Sequence, residues 1–290
     1  MFQRFRTLSL ATAALLTVAA APAGAQQRPG PAPLTPGPER PAAERQAAER
    51  EHFQLKVGVS YDQGDFGGRE TTRTLFVPVT LRYLGERWDL GITGSFVHLE
   101  APRDVVLVEG QPQRTDRARG GTESVSGIGD LILRGRYYLV DDPGPGSWLP
   151  TLAPFAKLKI PTADEDRGLG TGEVDVGLGL EFDKTFGDVL LFGDVSYTFV
   201  GDPPGQDFRN RPGASLGLGY YVTRDVLVGG MIDWRRSLVR GHDDPVELVG
   251  LASVRLARTF TVIPNVFVGL TDGSPDWGVG VELSWKFGRW

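Results

Sequence analysis

Few residues in this chain are of types that do chemistry. It has no Cys and three His, so it can build neither a disulfide scaffold nor a thiolate metal site, and it has little material for a histidine cluster. His242 precedes Asp243 and Asp244. An Asp–His pair could activate water; the alternative is a loop histidine solvated beside acids. His98 has no Ser of a recognisable motif nearby, and His52 opens the folded region. Asp164-Glu165-Asp166 could hold Ca²⁺ or bridge to lipopolysaccharide through a cation, or simply be a solvated acidic loop. Gly127-x-Gly129 precedes a strand, whereas nucleotide-binding glycines follow one and open a helix. These residues predict no enzyme, no cofactor and no metal. The formal net charge of −5 argues against a nucleic-acid partner.

The other ionisable residues share one pattern. Arg82, Asp130, Arg134, Arg136, Lys157, Lys159, Asp175, Glu181, Asp183, Asp194, Asp233, Arg235, Glu247, Arg255 and Glu282 alternate with apolar neighbours. In a strand, alternation sends the two sets to opposite faces. With the apolar set in lipid, these fifteen become lumen-lining candidates. Their signs are segregated: the expected fourth and fifth strands carry Arg134, Arg136, Lys157 and Lys159, and the sixth and seventh carry Asp175, Glu181, Asp183 and Asp194. Such a border could be an ion-pair network that stiffens a narrow barrel, or a transverse field that selects solutes.

The elements that must position them have period two. In the last segment Trp277, Val279, Val281, Leu283, Trp285 and Phe287 alternate with Gly278, Gly280, Glu282, Ser284 and Lys286, which matches the strand template. Twelve such segments follow His52. They predict an all-β fold, an antiparallel transmembrane β-barrel of about twelve strands with both termini periplasmic. Connections alternate: Asp62–Glu70, Glu100–Glu123, Pro161–Thr171, Gly201–Pro212, Ser237–Pro245 and Asp272–Asp276 are the longer, polar ones and are expected outside. Aromatic residues near strand ends, such as Tyr61, Tyr83, Trp88, Trp277 and Trp285, fit two interfacial girdles. The polar face is rich in Gly, Ser and Thr, as suits a lumen that holds water or a ligand. Mean hydropathy of −0.17 excludes a bundle of membrane helices but not a barrel.

Ahead of the barrel, residues 1–25 read as a signal peptide. Arg4 and Arg6 precede an apolar run, and Ala23-Gly24-Ala25 supplies the small-x-small cleavage pattern. Residues 26–51 contain six prolines and end in alternating charges, predicting a disordered tether with a short helix. Residues 52–290 form the barrel.

Two stretches carry a resemblance. Gly127-Ile128-Gly129-Asp130 opens a strand, and Lys157-Leu158-Lys159-Ile160-Pro161-Thr162 is followed by Gly168-Leu169-Gly170-Thr171-Gly172. Together they resemble the motifs of the outer-membrane barrels assigned to the meta-pathway of phenol degradation, with Ala163 where that family has Gly. The resemblance implies an outer-membrane channel or transporter for small, aromatic or hydrophobic solutes. The alternatives are a closed structural or adhesion-type barrel and, third, an outer-membrane hydrolase. The C-terminal strand, ending Phe287-Gly288-Arg289-Trp290, is similar to the signal read by the barrel-assembly machinery. The expected partners are therefore that machinery, outer-membrane lipid, lipopolysaccharide and a small-molecule solute.

Overall fold

The computed structural model describes residues 52–288, apart from 103, 116–121, 145 and 204. The expected leader, the expected tether and Trp290 lie outside the described residues. The strands are β1 (Phe53–Gly64), β2 (Thr72–Leu84), β3 (Trp88–Pro102), β4 (Val105–Val108), β5 (Gln111–Arg114), β6 (Thr122–Ile128), β7 (Leu131–Tyr137) and β8 (Thr151–Ile160), then β9 (Asp175–Phe186), β10 (Val189–Phe199), β11 (Arg211–Thr223), β12 (Val226–Arg235), β13 (Val246–Ala257), β14 (Phe260–Gly269) and β15 (Trp277–Phe287).

Thirteen of these form one antiparallel sheet. It closes where β1 meets β15, with Phe53 opposite Phe287 and Gln63 opposite Trp277. β6 and β7 both pair with β3: Phe96–Pro102 of β3 face β6, and Trp88–Thr93 face β7. The two occupy one wall position interrupted at Gly129-Asp130, so the wall has the twelve positions that the alternation predicts. Closure leaves the sheet without an edge except along β6, which pairs with β3 alone; paired edges are what spanning a membrane with strands requires.

The apolar set points outward. Leu218, Tyr220, Val266 and Leu283 are exposed, whereas Asp62, Lys159 and Asp175 are completely buried. A continuous apolar exterior of this extent would drive association in water; in a bilayer it faces hydrocarbon. Two aromatic rings bound it. At the terminal end, Phe53 packs on Tyr83 and Phe287, and Tyr83 on Trp88. At the loop end, Tyr61 packs on Trp277 and Tyr197 on Phe199. Tyr61 lies eight residues along β1 from Phe53. At ~3.3 Å per residue and a tilt of ~40°, this separates the rings by ~20 Å, close to the apolar band of outer-membrane barrels.

The inner face departs from expectation in two ways. It is not uniformly polar: Leu190, Phe192, Leu227, Met231, Val249, Leu251 and Phe267 form a buried apolar cluster inside the wall of β10 and β12–β14. The reason is local phase. On β10, Leu190 and Phe192 occupy the inward positions between outward Val189 and Leu191, so a run of apolar residues covers both faces. In addition, β1 extends to Gly64, and Asp62, expected to open an outer loop, is an inward wall residue opposite Thr74.

The longest connection, expected as an outer polar loop, contains the β4–β5 hairpin, which folds into the barrel. Val105–Val108 is buried along its whole length. Val105 and Leu107 pack on Phe76, Val97, Leu99, Ala101 and Val125 of the wall. Val106 and Val108 pack on Phe208, Leu238 and Val239 of two other connections. Period two thus gives this strand two apolar faces, each with its own partner surface. At ~1.5–3 kcal/mol per buried branched side chain, this burial outweighs the loop's polarity.

Candidate functional site

The site is the lumen around the hairpin tip. Val108 leads into a turn in which Glu109 and Gly110 have φ of 54° and 81°. That left-handed geometry favours glycine at the second position, and a Cβ on Gly110 would collide with the Phe76 ring. The Glu109 carboxylate accepts from Lys157 Nζ of β8 at 2.6 Å, and Gln111 Oε1 accepts from Arg235 of β12. Arg114 Nε is 2.8 Å from Asp104 Oδ2, closing the base of the hairpin. Polar bonds therefore fix the hairpin at its tip and base, and apolar contacts fix it along its length.

Beside the tip, Val108 and Glu109 join residues of β7 to β12 around a cavity of about 50 Å³. Arg134 stacks over the Phe155 ring at 3.8 Å from its centroid.

The fifteen charged candidates are all buried or half-buried. Arg134 and Arg136 both reach Glu181, Arg136 at 2.9 Å. Lys159 lies between Asp175 at 2.9 Å and Asp130 at 3.6 Å. Lys157 is taken by Glu109. Arg82 binds Asp89 at 2.7 Å, and the Tyr138 hydroxyl donates to the same carboxylate. Asp183 accepts from Thr151, and Asp194 from Ser215. Arg235 joins Asp233 at 2.6 Å and Glu247 at 3.5 Å. Arg255 pairs with Asp225, and Glu282 with Lys56. The basic and acidic groups are thus joined across the border between their strands.

Other buried polar groups have no protein partner among the described residues. They include Ser60 Oγ, both Asp62 carboxylate oxygens, Thr74 Oγ1 and both side-chain ends of Asn265. They cluster by register: Asp62 is opposite Thr74, and Gly280 lies between Ser60 and Asn265.

The two motif stretches meet at the wall break. Thr162 Oγ1 donates to Gly129 O and accepts from Leu131 N, and Ala163 N donates to Asp130 Oδ1 at 3.1 Å. Lys159 Nζ donates to Thr171 Oγ1 at 2.6 Å. Gly127 lies under Leu169, whose Cδ1 would be 2.6 Å from an added Cβ. The connection 161–174 thus replaces the strand neighbour that β6 lacks, and Arg167 donates to Ser126 O on its free side. The glycines serve close packing at an interrupted strand.

The histidines separate. His98 Nδ1 is 2.7 Å from Ser126 Oγ on the outward face, and its Nε2 is 3.8 Å from Glu100. Cross-strand register makes that Ser contact, and sequence spacing could not reveal it. Of the two readings of His242, the Asp–His pair is not formed among the described residues: His242 Nδ1 has no partner there, while Asp244 accepts from Ser237 N and Trp234 Nε1. His52 stacks on Tyr83 at 6.1 Å. Asp164 accepts from Arg167 N within its own turn, and no group of three His, Cys, Asp or Glu is placed to hold a metal among the described residues.

Two carboxyls outside the spanning strands have shifted pKa values. Burial of Asp142 opposes its charge, but the Lys184 ammonium at 2.5 Å and backbone N–H donors outweigh this and hold its carboxyl below the usual range. Burial, with Asp65 and Asp272 nearby, pushes Asp276 up.

This barrel is similar to several solved ones. An outer membrane channel from Pseudomonas putida F1 is 17% identical, with a TM-score of 0.57 over 82% of this chain and 96% of that one. The NanC porin is 10% identical, with a TM-score of 0.51 over 81% and 99%. The beta domain of the Bordetella autotransporter BrkA is 14% identical, with a TM-score of 0.51 over 82% and 100%. The fold is that of a bacterial outer-membrane barrel. A family model described as "Putative MetA-pathway of phenol degradation" matches residues 44–287, and the chain belongs to that family.

Proposed function

We propose that the chain is an outer-membrane channel that admits small solutes, aromatic or hydrophobic ones among them, through a lumen narrowed by its own hairpin. The observation that carries this reading is the cavity of about 50 Å³ at the hairpin tip, lined by both charged and apolar side chains. A purely structural barrel has no use for a chamber held open by paired charges. The family's description, which names phenol degradation, supports small aromatic solutes. The longer connections face outward in this reading and both termini face the periplasm. Lipid and lipopolysaccharide surround the wall, and the C-terminal strand addresses the assembly machinery. The fifteen inward charges set the lumen's field, and the chain carries out no catalysis.

The hairpin and the dense ion pairs favour a second reading, a closed barrel that passes nothing. Planar-bilayer recording of the purified protein, with solute uptake into liposomes, separates the two. The channel reading expects small discrete current steps and uptake above empty liposomes. Absence of both overturns it in favour of the closed barrel.

A further inference from the structure

Resting on the channel reading, we infer that the chamber at the hairpin tip is a binding site for a small organic carboxylate with an apolar or aromatic body. Arg211, the first residue of β11, lines this chamber and is 7% exposed. Its Nε donates to Arg236 O at 3.0 Å, while its buried Nη2 has no partner. No carboxylate forms an ion pair with it among the described residues. The neighbouring cations differ, since Lys157 is held by Glu109 and Arg235 by Asp233. Arg211 is therefore the cation in this chamber without a direct ion pair; Glu109, Asp233 and Glu247 act on it only through their charges.

The surroundings supply the rest of a ligand's needs. Ser196 and Thr198 of β10 also line the space, Thr198 directly opposite Arg211 in register. Neither hydroxyl is used in a hydrogen bond among the described residues. Val108, Phe155 and Val200 provide apolar wall. A buried guanidinium without a partner is costly, and a carboxylate is the group its planar fork fits. Two hydroxyl donors beside it complete the recognition of an anion, and the apolar wall accepts the ligand's body. A neutral ligand of the same shape would leave the guanidinium unpaired.

Fluorine NMR of 4-fluorobenzoate with the detergent-purified full-length barrel tests this. The expected result is a broadened fluorine line that excess benzoate sharpens again. 4-Fluorobenzyl alcohol should bind at least tenfold more weakly. Arg211→Gln, judged folded by its heat-dependent gel migration, should weaken benzoate binding at least tenfold. Thr198→Val, which keeps side-chain shape, should weaken it at least threefold and decides the matter if Arg211→Gln does not fold. Equal binding of acid and alcohol, or no change in the folded variant, overturns the carboxylate site. A barrel that conducts but does not bind benzoate overturns this inference alone. A barrel that binds benzoate but never conducts overturns the channel reading alone.

Discussion

The Lys157 ammonium on the wall grips the Glu109 carboxylate at the hairpin tip, 2.6 Å apart, with both groups largely shielded from solvent. This contact joins residues 48 positions apart and ties the only described inner element to the strand that carries half of the basic stripe. Lys157→Met should leave Glu109 buried and uncompensated. Removing one partner of a buried pair costs ~3–5 kcal/mol, more than one hairpin contact can absorb, so the hairpin should loosen. Noisier single-channel current than wild type, with unchanged barrel melting, is the expected outcome. An unchanged current trace counts against the contact.

Lys159 is completely buried between Asp130 and Asp175. Lys159→Met should destabilise the folded barrel by ~3–5 kcal/mol, because two buried carboxylates lose their cation. The double variant with Asp175→Asn should recover part of that loss. Urea unfolding in lipid vesicles measures both.

Lys184 near the end of β9 pairs with Asp142 in the β7–β8 connection, with both side chains buried. Since the folded carboxyl sits below its unfolded range, its contribution is complete above the unfolded pKa and is lost as pH falls through the folded one. Asp142→Asn should cost ~1–3 kcal/mol at neutral pH. The gap from wild type should shrink only below the ordinary aspartate range. A gap independent of pH down to strong acid would contradict this assignment.

Leu218 is 58% exposed at the middle of β11. If it faces hydrocarbon, Leu218→Arg should cost ~2–4 kcal/mol in a bilayer. The same change at Tyr61, in the aromatic ring, should cost ~1 kcal/mol or less from the charge. Equal costs at the two positions would argue against the membrane placement.

The wall was legible in the sequence because one periodicity governs it. Trp277 to Phe287 alternates without exception, and a one-residue register slip would turn every apolar side chain inward. The burial of the charged candidates follows from the same phase. The hairpin was not anticipated, although a signal was present: Val105-Val106-Leu107-Val108 is an unbroken apolar run inside a polar connection, the mark of a strand buried on both faces. The partners that bury it, Phe208, Leu238 and Val239, are about a hundred residues away, and no local pattern links them to it. The same holds for Arg211. The absence of a direct ion pair to it among the described residues is a property of three-dimensional neighbours and cannot be read from its sequence context.

The central claim is that a conducting lumen is narrowed by the chain's own hairpin. Replacing Val105–Arg114 with a short Gly-Ser link, and recording single channels of this variant beside wild type, tests it most directly. The account predicts discrete small steps for wild type and steps several-fold larger for the folded variant. Equal conductance in the two, or silence in both, would contradict it.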